Sequence, residues 1–295
     1  MTPISPKKLV FGRRTYIMGI INVTPDSFSG DGLMQQSDLV ESAVTQARNF
    51  IAAGADILDI GGESTRPGAA MVSEAEEIDR VIPVVERLVA EKLNVTLSID
   101  TYKAKVAQYA LAAGAHWIND VWALKADPDM AKIVSEYNAE IILMHNRSKP
   151  SNIELQTHLG EKYTAPIYKN LLKEIQMDLL DSIEIAKYAN IPDQKIILDP
   201  GIGFGKTVEQ NLEIINRLDD IKALGYPVLL GPSRKSFIGY TLNLPKEQRL
   251  EGTLAAVVVG ILRGADIVRI HDVEACARAV KMTDAILGRI MPQVN

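Results

Sequence analysis

The sequence predicts an α/β fold, a (β/α)8 TIM barrel with a short N-terminal hairpin arm, built as one domain over residues 1–295. Three observations carry that expectation. Strand-like and helix-like runs alternate eight times from Arg14 to the C-terminus. A glycine stops the helix before several of the strands. Finally, polar residues and further glycines cluster where the strands end. A parallel strand covered on both faces reads as continuous Val, Ile and Leu, so polar groups bunched at the ends of several such runs mark the face on which barrels build active sites.

The strands are expected near Tyr16–Val23, Ile57–Ile60, Thr96–Ile99, Trp117–Ile118, Ile141–Met144, Ile196–Leu198, Val228–Leu230 and Ile267–Ile270. Helical spacing of apolar residues appears in 39–53, 74–92, 104–113, 130–137, 163–189, 208–221, 250–263 and 273–288. Ser37 is expected to precede the first helix. Ser73, followed by Glu76 and Glu77, is a capping-box candidate for the second, and Asp127-Pro128 opens the fourth. Gly54-Ala55-Asp56, Gly114-Ala115-His116 and Gly264-Ala265-Asp266 are the repeated helix stops and fit short αβ turns. Right-handed crossovers leave a barrel or an open doubly wound sheet, and the number eight selects the barrel. Leu9–Thr15 is expected to form the hairpin arm under the barrel floor. The long 163–189 segment, apolar at Leu171, Leu172, Ile175, Leu179 and Ile183, reads as a barrel-packing helix.

Composition narrows the function. With 47% hydrophobic and 23% charged residues, the chain has material for a sizeable core. A net charge of −5 gives no basic surface for nucleic acid, so an anionic ligand must meet a local cluster of cations. The single cysteine, Cys276, excludes an intrachain disulfide framework and a cysteine-rich zinc site. The longest apolar run, Leu254–Leu262, ends at Arg263 and is too short to span a bilayer. Neither a signal peptide nor a membrane role is expected, and the cytoplasm is the expected compartment.

Placed on these strands, Asn22, Asp100, Asn119, Asp199, Lys235, Arg269 and His271 reach one face. A pair of carboxylates beside an amide suits the edge of a planar heterocycle that donates several N–H groups. The alternative for either aspartate alone is a helix cap. Arg269 and His271 after the last strand, with Gly231-Pro-Ser-Arg-Lys-Ser236 after the one before, place cations where barrels often bind phosphate. Arg234 reads as structural. Pro200-Gly-Ile-Gly-Phe-Gly-Lys-Thr207 falls one residue short of a Walker A loop and fails G-x-G-x-x-G, which argues against nucleotide binding. Its glycines are expected to let the backbone approach a ligand that Phe204 packs against. The loops 24–37 and 61–73 are long enough to close over a substrate. The histidines show no zinc pattern; His116 and His158 read as structural, and His145 as a packing or supporting residue.

Six segments resemble the signatures of dihydropteroate synthases: Asn22-Val-Thr-Pro-Asp-Ser-Phe28, Ser64-Thr-Arg-Pro-Gly68, Ser98-Ile-Asp-Thr101, Ile118-Asn-Asp120, Asp199-Pro-Gly-Ile-Gly-Phe-Gly-Lys206 and Ser233-Arg-Lys-Ser236. The resemblance runs from Leu9 to Arg289. One departure is Met144-His-Asn-Arg-Ser-Lys149, where members commonly continue Met-His-Met. The resemblance implies condensation of (7,8-dihydropterin-6-yl)methyl diphosphate with 4-aminobenzoate, releasing diphosphate. It further implies Asp100, Lys235, Arg269 and His271 as catalytic residues, with Asp100, Asn119, Met144, Asp199, Phe204 and Lys235 around the pterin. Diphosphate is implied to meet Asn22, Thr65, Arg66, Arg269 and His271. Phe28, Thr65, Pro67, Phe204, Lys235 and Ser236 are implied to border 4-aminobenzoate, where sulfonamides would compete. Asp31 is carried over with its loop. Magnesium is the implied cofactor, bound through the diphosphate with Asn22 as its protein contact, and a homodimer is implied by analogy. Two other readings use the same barrel: a pterin-dependent methyltransferase domain, and a non-catalytic pterin-binding paralogue.

Overall fold

The computed structural model describes residues 9–24, 36–63, 71–149, 153–156, 158–163 and 168–290. Its strands are β1 (Tyr16–Asn22), β2 (Ile57–Gly61), β3 (Thr96–Asp100), β4 (Trp117–Asp120), β5 (Glu140–Met144), β6 (Ile153–Gln156), β7 (Gly160–Tyr163), β8 (Ile196–Asp199), β9 (Leu229–Leu230) and β10 (Ile267–Ile270). Its helices of five residues or more are α1 (Gln36–Ala52), α2 (Glu74–Ala90), α3 (Ala104–Ala113), α4 (Met130–Glu136), α5 (Leu171–Tyr188), α6 (Val208–Asn216), α7 (Leu218–Lys222), α8 (Ser236–Leu242), α9 (Leu250–Leu262) and α10 (Val273–Ile286). Eight strands pair in parallel in the order β8-β5-β4-β3-β2-β1-β10-β9, and a parallel bridge between Leu198 and Val228 closes the ring. The expected (β/α)8 barrel is therefore present.

Each inner strand face alternates with an outer one, because successive side chains point to opposite sides. Outward residues such as Leu58, Ile60, Ile99, Ile118, Leu143, Leu198 and Val268 pack in one core with the helices. Inward residues at the N-terminal ends, among them Tyr16, Met18, Ile57, Trp117, Ile142, Ile197, Leu229 and Ile267, form a separate apolar floor. Leu9 and Phe11 pack beneath this floor, and the Phe11 ring meets Tyr16 edge-on with centroids 5.7 Å apart. Among the described residues, 9–15 form a turn rather than the expected hairpin. Val10 folds back so that its N–H donates to the Tyr16 hydroxyl at 2.8 Å, which uses a side chain instead of a strand ladder.

The three helix-stop glycines behave as their spacing predicts. Gly54, Gly114 and Gly264 have φ of 103°, 111° and 101°, and the residue after each donates back over the last helical turn. Ser73 caps α2 by accepting from Glu76 N at 3.2 Å. Four expectations change. Helix α1 begins at Gln36, ahead of Ser37. The 208–221 helix is split, because Arg217 leaves helical geometry between α6 and α7. Helix α5 begins at Leu171, since Tyr163 lies in an antiparallel hairpin of β6 and β7 inserted after β5. Helix α8, too short to show a helical period, follows Lys235. In α5 the residues Leu171, Leu172, Ile175, Leu179 and Ile183 are all buried, in keeping with barrel packing.

Candidate active site

The site is assembled by counting two residues along each strand from the floor. Two beyond Ile57 stands Asp59, beyond Trp117 stands Asn119, beyond Ile197 stands Asp199 and beyond Ile267 stands Arg269. Asp59 is fully buried and accepts from Ser98 Oγ at 2.7 Å, Asn119 Nδ2 at 3.0 Å and Arg269 Nε at 2.6 Å. A carboxylate only accepts, so this contact commits the Asn119 NH2 group to Asp59 and leaves the amide oxygen as its acceptor for a ligand. Arg269 donates through Nη2 to Asp100 Oδ2 at 2.6 Å, so one guanidinium joins carboxylates from β2 and β3.

The other oxygen of Asp100, Oδ1, is buried and has no hydrogen-bond partner among the described residues. An unmet buried acceptor costs about 1–3 kcal/mol, which a ligand N–H would relieve. Burial pushes the Asp100 carboxyl up to about 7; Arg269 opposes the rise, Asp59 and Glu77 add to it, and Lys235 opposes it. Burial also raises Asp199, against Lys235 and the Gly201 N–H that donates to its Oδ1 at 2.7 Å. Burial works against the charge of Arg269, but Asp59 and Asp100 outweigh it and hold the guanidinium above its ordinary range. The carboxylates of Asp59, Asp100 and Asp199 thus lie among the cations Arg269, Lys235 and Lys206.

Lys235 precedes α8. Its ammonium donates to Ile202 O and lies 4.7 Å from the centroid of the Phe204 ring. Ser236 is the first residue of α8. Met144 is buried beside Asp199 in the β5–β8 register. His271 follows β10, with both its backbone N–H and its Nδ1 on Ser233 Oγ, at 3.1 and 3.0 Å. Asn22 ends β1 opposite Gly61. The structure therefore brings Asn22, Asp100, Asn119, Met144, Asp199, Phe204, Lys235, Ser236, Arg269 and His271 to the C-terminal mouth. Phe28, Asp31, Thr65, Arg66 and Pro67 lie outside the described residues. The flanking residues Glu63 and Val72 are joined to each other and to Lys103. Glu63 accepts from Val72 N at 2.9 Å, and Lys103 Nζ donates to Glu63 at 3.0 Å and to Glu77 and Val72 O at 2.6 Å.

The glycine-rich loop packs closely against its neighbours. Gly201, Gly203 and Gly205 all have positive φ. A Cβ on them would stand 1.9 Å from His145 O, 2.9 Å from the Lys235 stem and 2.6 Å from the Arg147 backbone. These glycines admit neighbouring protein at close approach. Arg234 pairs with Asp272, as its structural reading anticipates. His145 is buried, donates from Nε2 to Asp178 at 3.0 Å and is pushed down to about 3 by burial and by Lys206, so it stays neutral. His116 Nδ1 accepts from Leu97 N at 2.9 Å. Among the described residues no group of three His, Cys, Asp or Glu side chains is placed to hold a metal. Asp59 is the main residue that sequence reasoning missed. Its inward position two residues beyond Ile57 in Ile57-Leu-Asp-Ile60 follows from the period of two, but its partners on β3, β4 and β10 do not.

The family model "Pterin binding enzyme" matches residues 18–271. A dihydropteroate synthase of Clostridium beijerinckii is 53% identical over 97% of this chain and 99% of its own. The chain belongs to the dihydropteroate synthase family. Among solved dihydropteroate synthases, that of Clostridium difficile in the presence of pteroic acid superposes with a TM-score of 0.85 at 46% identity, covering 95% of this chain and 99% of the other. The Xanthomonas albilineans dihydropteroate synthase with 4-aminobenzoic acid gives 0.83 at 41% identity over 93% of each chain.

Proposed function

We propose that this chain is a transferase of folate biosynthesis that joins (7,8-dihydropterin-6-yl)methyl diphosphate to 4-aminobenzoate, giving 7,8-dihydropteroate and diphosphate. The observation that carries the reading is the wall of acceptors at the mouth: buried Asp100 Oδ1, the Asn119 amide oxygen oriented by Asp59, and Asp199. A pterin edge presents the matching N–H donors. Membership of a family whose solved members include one with 4-aminobenzoic acid supports the second substrate.

The chemistry follows from the electrostatics. An electron-rich dihydropterin expels diphosphate from its methylene carbon and is left as a delocalised cation, which the arylamine nitrogen attacks; that nitrogen then loses a proton. The chain's task is to stabilise separated charge. Asp100 and Asp199 face the cationic ring, Asn119 orients it, and Lys235 lines the boundary between the two substrates with Phe204. Arg269 and His271 meet the departing diphosphate, with Asn22, Thr65 and Arg66. Phe28, Thr65, Pro67, Phe204 and Ser236 border 4-aminobenzoate, where sulfonamides compete.

The donors at the mouth fit magnesium of one kind only. With no group of three His, Cys, Asp or Glu side chains placed to hold a metal among the described residues, the ion would be held by the substrate diphosphate and the Asn22 amide oxygen. Bound there, it would supply positive charge to the leaving group.

The reading extends to one pterin-binding domain over 1–295, in the cytoplasm, as a homodimer. No described helix is long and apolar enough to cross a membrane. Support for self-association comes from exposed apolar residues on the adjoining α6, α9 and α10: Leu212, Val259, Leu262, Met282 and Ile286. The deciding experiment follows diphosphate release and dihydropteroate formation in one sample, with magnesium, with and without 4-aminobenzoate. Coupled appearance of both products is expected. Tight pterin binding with neither product would return the chain to the methyltransferase or binding-only reading.

A further inference from the structure

Lys206 ends the glycine-rich loop and is buried, with 1% of its surface exposed. Its ammonium donates to three backbone carbonyls: Gly201 O at 2.9 Å, Phe204 O at 2.9 Å and His145 O at 3.3 Å. An ammonium has three N–H donors and no acceptor, so three carbonyls match it one for one. A neutral amine would set its lone pair against one of them. The charged groups around it are evenly opposed: Asp199 and Asp178 favour the ammonium, and Lys235 and Arg147 disfavour it. Burial pulls the group down to about 7.

What the tripod grips is the turn that carries Phe204. Phe204 N–H closes that turn on Gly201 O at 3.1 Å, and Lys206 binds the carbonyls at both ends of it. From the opposite side Lys235 donates to Ile202 O and covers the Phe204 ring. Between Gly201 and Gly205 three of five residues are glycines with positive φ, at 71°, 80° and 64°. Such a chain has little stiffness of its own, and fixing one residue's backbone costs about 1–2 kcal/mol. Its order must come from contacts outside the loop. The third carbonyl, His145 O, belongs to the segment after β5, so the same ammonium locks two loops of the mouth together.

We propose that Lys206 is a positioning residue of the synthase reaction: as a buried ammonium it holds the 201–205 turn against the 145–147 segment and so fixes the Phe204 ring where pterin and 4-aminobenzoate meet. It touches neither substrate. The inference rests on the placement of both substrates beside Phe204.

The test is a double-mutant cycle of K206M, F204A and K206M/F204A, read as the KM for 4-aminobenzoate, kcat, and the Kd of 6-hydroxymethyl-7,8-dihydropterin. K206M is expected to raise KM and Kd about tenfold, as F204A does, with a smaller change in kcat. The double variant should be no worse than F204A, because the lysine acts through the ring. F204A impaired, with K206M silent or the two losses adding, overturns the role of Lys206. An F204A variant that binds both substrates normally overturns the Phe204 placement, and the inference with it. A second measurement needs only the unaltered protein: the 15N resonance of Lys206 Nζ should be that of a charged ammonium with slowly exchanging protons at pH 6, below the value of about 7 to which burial pulls the group. A neutral amine there removes the tripod and the proposal, even if K206M does not fold.

Discussion

The two ends of the barrel's interior are built on the same strands and differ in almost every physical respect. At the floor, Met18, Ile57, Trp117, Ile142, Ile197, Leu229 and Ile267 exclude water and satisfy one another by packing. One inward position further along, Asp59, Asn119 and Asp199 are nearly as dry and Arg269 is half-buried, yet they are charged or polar and must be satisfied by hydrogen bonds. Burial at the floor is stabilising in itself. At the mouth burial is costly unless each group has a partner, and Asp100 Oδ1, without a hydrogen-bond partner among the described residues, is where a ligand completes the network. Substitutions at the floor should therefore change stability alone, and those at the mouth should change chemistry as well.

The largest effect is expected for Asp59→Asn. It breaks a buried carboxylate–guanidinium contact, at about 3–5 kcal/mol of stability, measured by denaturant unfolding. It also removes a charge that raises Asp100 and leaves Arg269 to pair with Asp100 alone. The acid limb of kcat/KM, where Asp100 ionises, should move to lower pH. A limb that stays in place would show that Asp59 acts by packing only.

Asp100→Asn comes next. It keeps the shape of the ring contact and loses the charge that meets the pterin cation, so single-turnover rates should fall about 10²–10³-fold while pterin binding weakens much less. Equal losses in both would break the distinction between ring anchoring and charge stabilisation. The same variant tests a linkage. With its pKa raised to about 7 from the ordinary 3.8, Asp100 stays protonated in the folded chain across pH 4–7 but ionises on unfolding. Its contribution to folded-state stability therefore declines as pH rises through that window. Asp100→Asn should flatten this slope in the ligand-free protein.

At the floor, Met18→Ala should cost about 2–5 kcal/mol through the lost transfer energy and the cavity it leaves, with the KM for 4-aminobenzoate unchanged. A shifted KM would show the two layers to be coupled. Phe11→Ala should have the smallest effect, about 1 kcal/mol for the lost edge-on contact with Tyr16, and no change in pterin affinity.

The sequence by itself determined the repeat, its handedness and the list of polar strand ends. These depend on local rules: continuous apolar runs for strands covered on both faces, a left-handed glycine at Gly54, Gly114 and Gly264, and the right-handed twist of strands, which sets the hand of the crossovers. The hairpin of β6 and β7 was hidden by its polar, four-residue strands, and the short α8 by the lack of even two full helical turns. Within the site, Asp100, Asn119, Asp199 and Arg269 were legible because each ends or nearly ends an apolar run. Asp59 was not, because its importance comes from Ser98, Asn119 and Arg269, as many as 210 residues away in the chain. Lys206 was hidden in the same way. Its partners are backbone carbonyls, one of them 61 residues upstream, and no pattern of residue types records where a carbonyl will point. Only the tertiary structure decides which buried charges meet, since a hydrogen bond needs its atoms within about 3 Å, and that proximity is set by closure of the barrel.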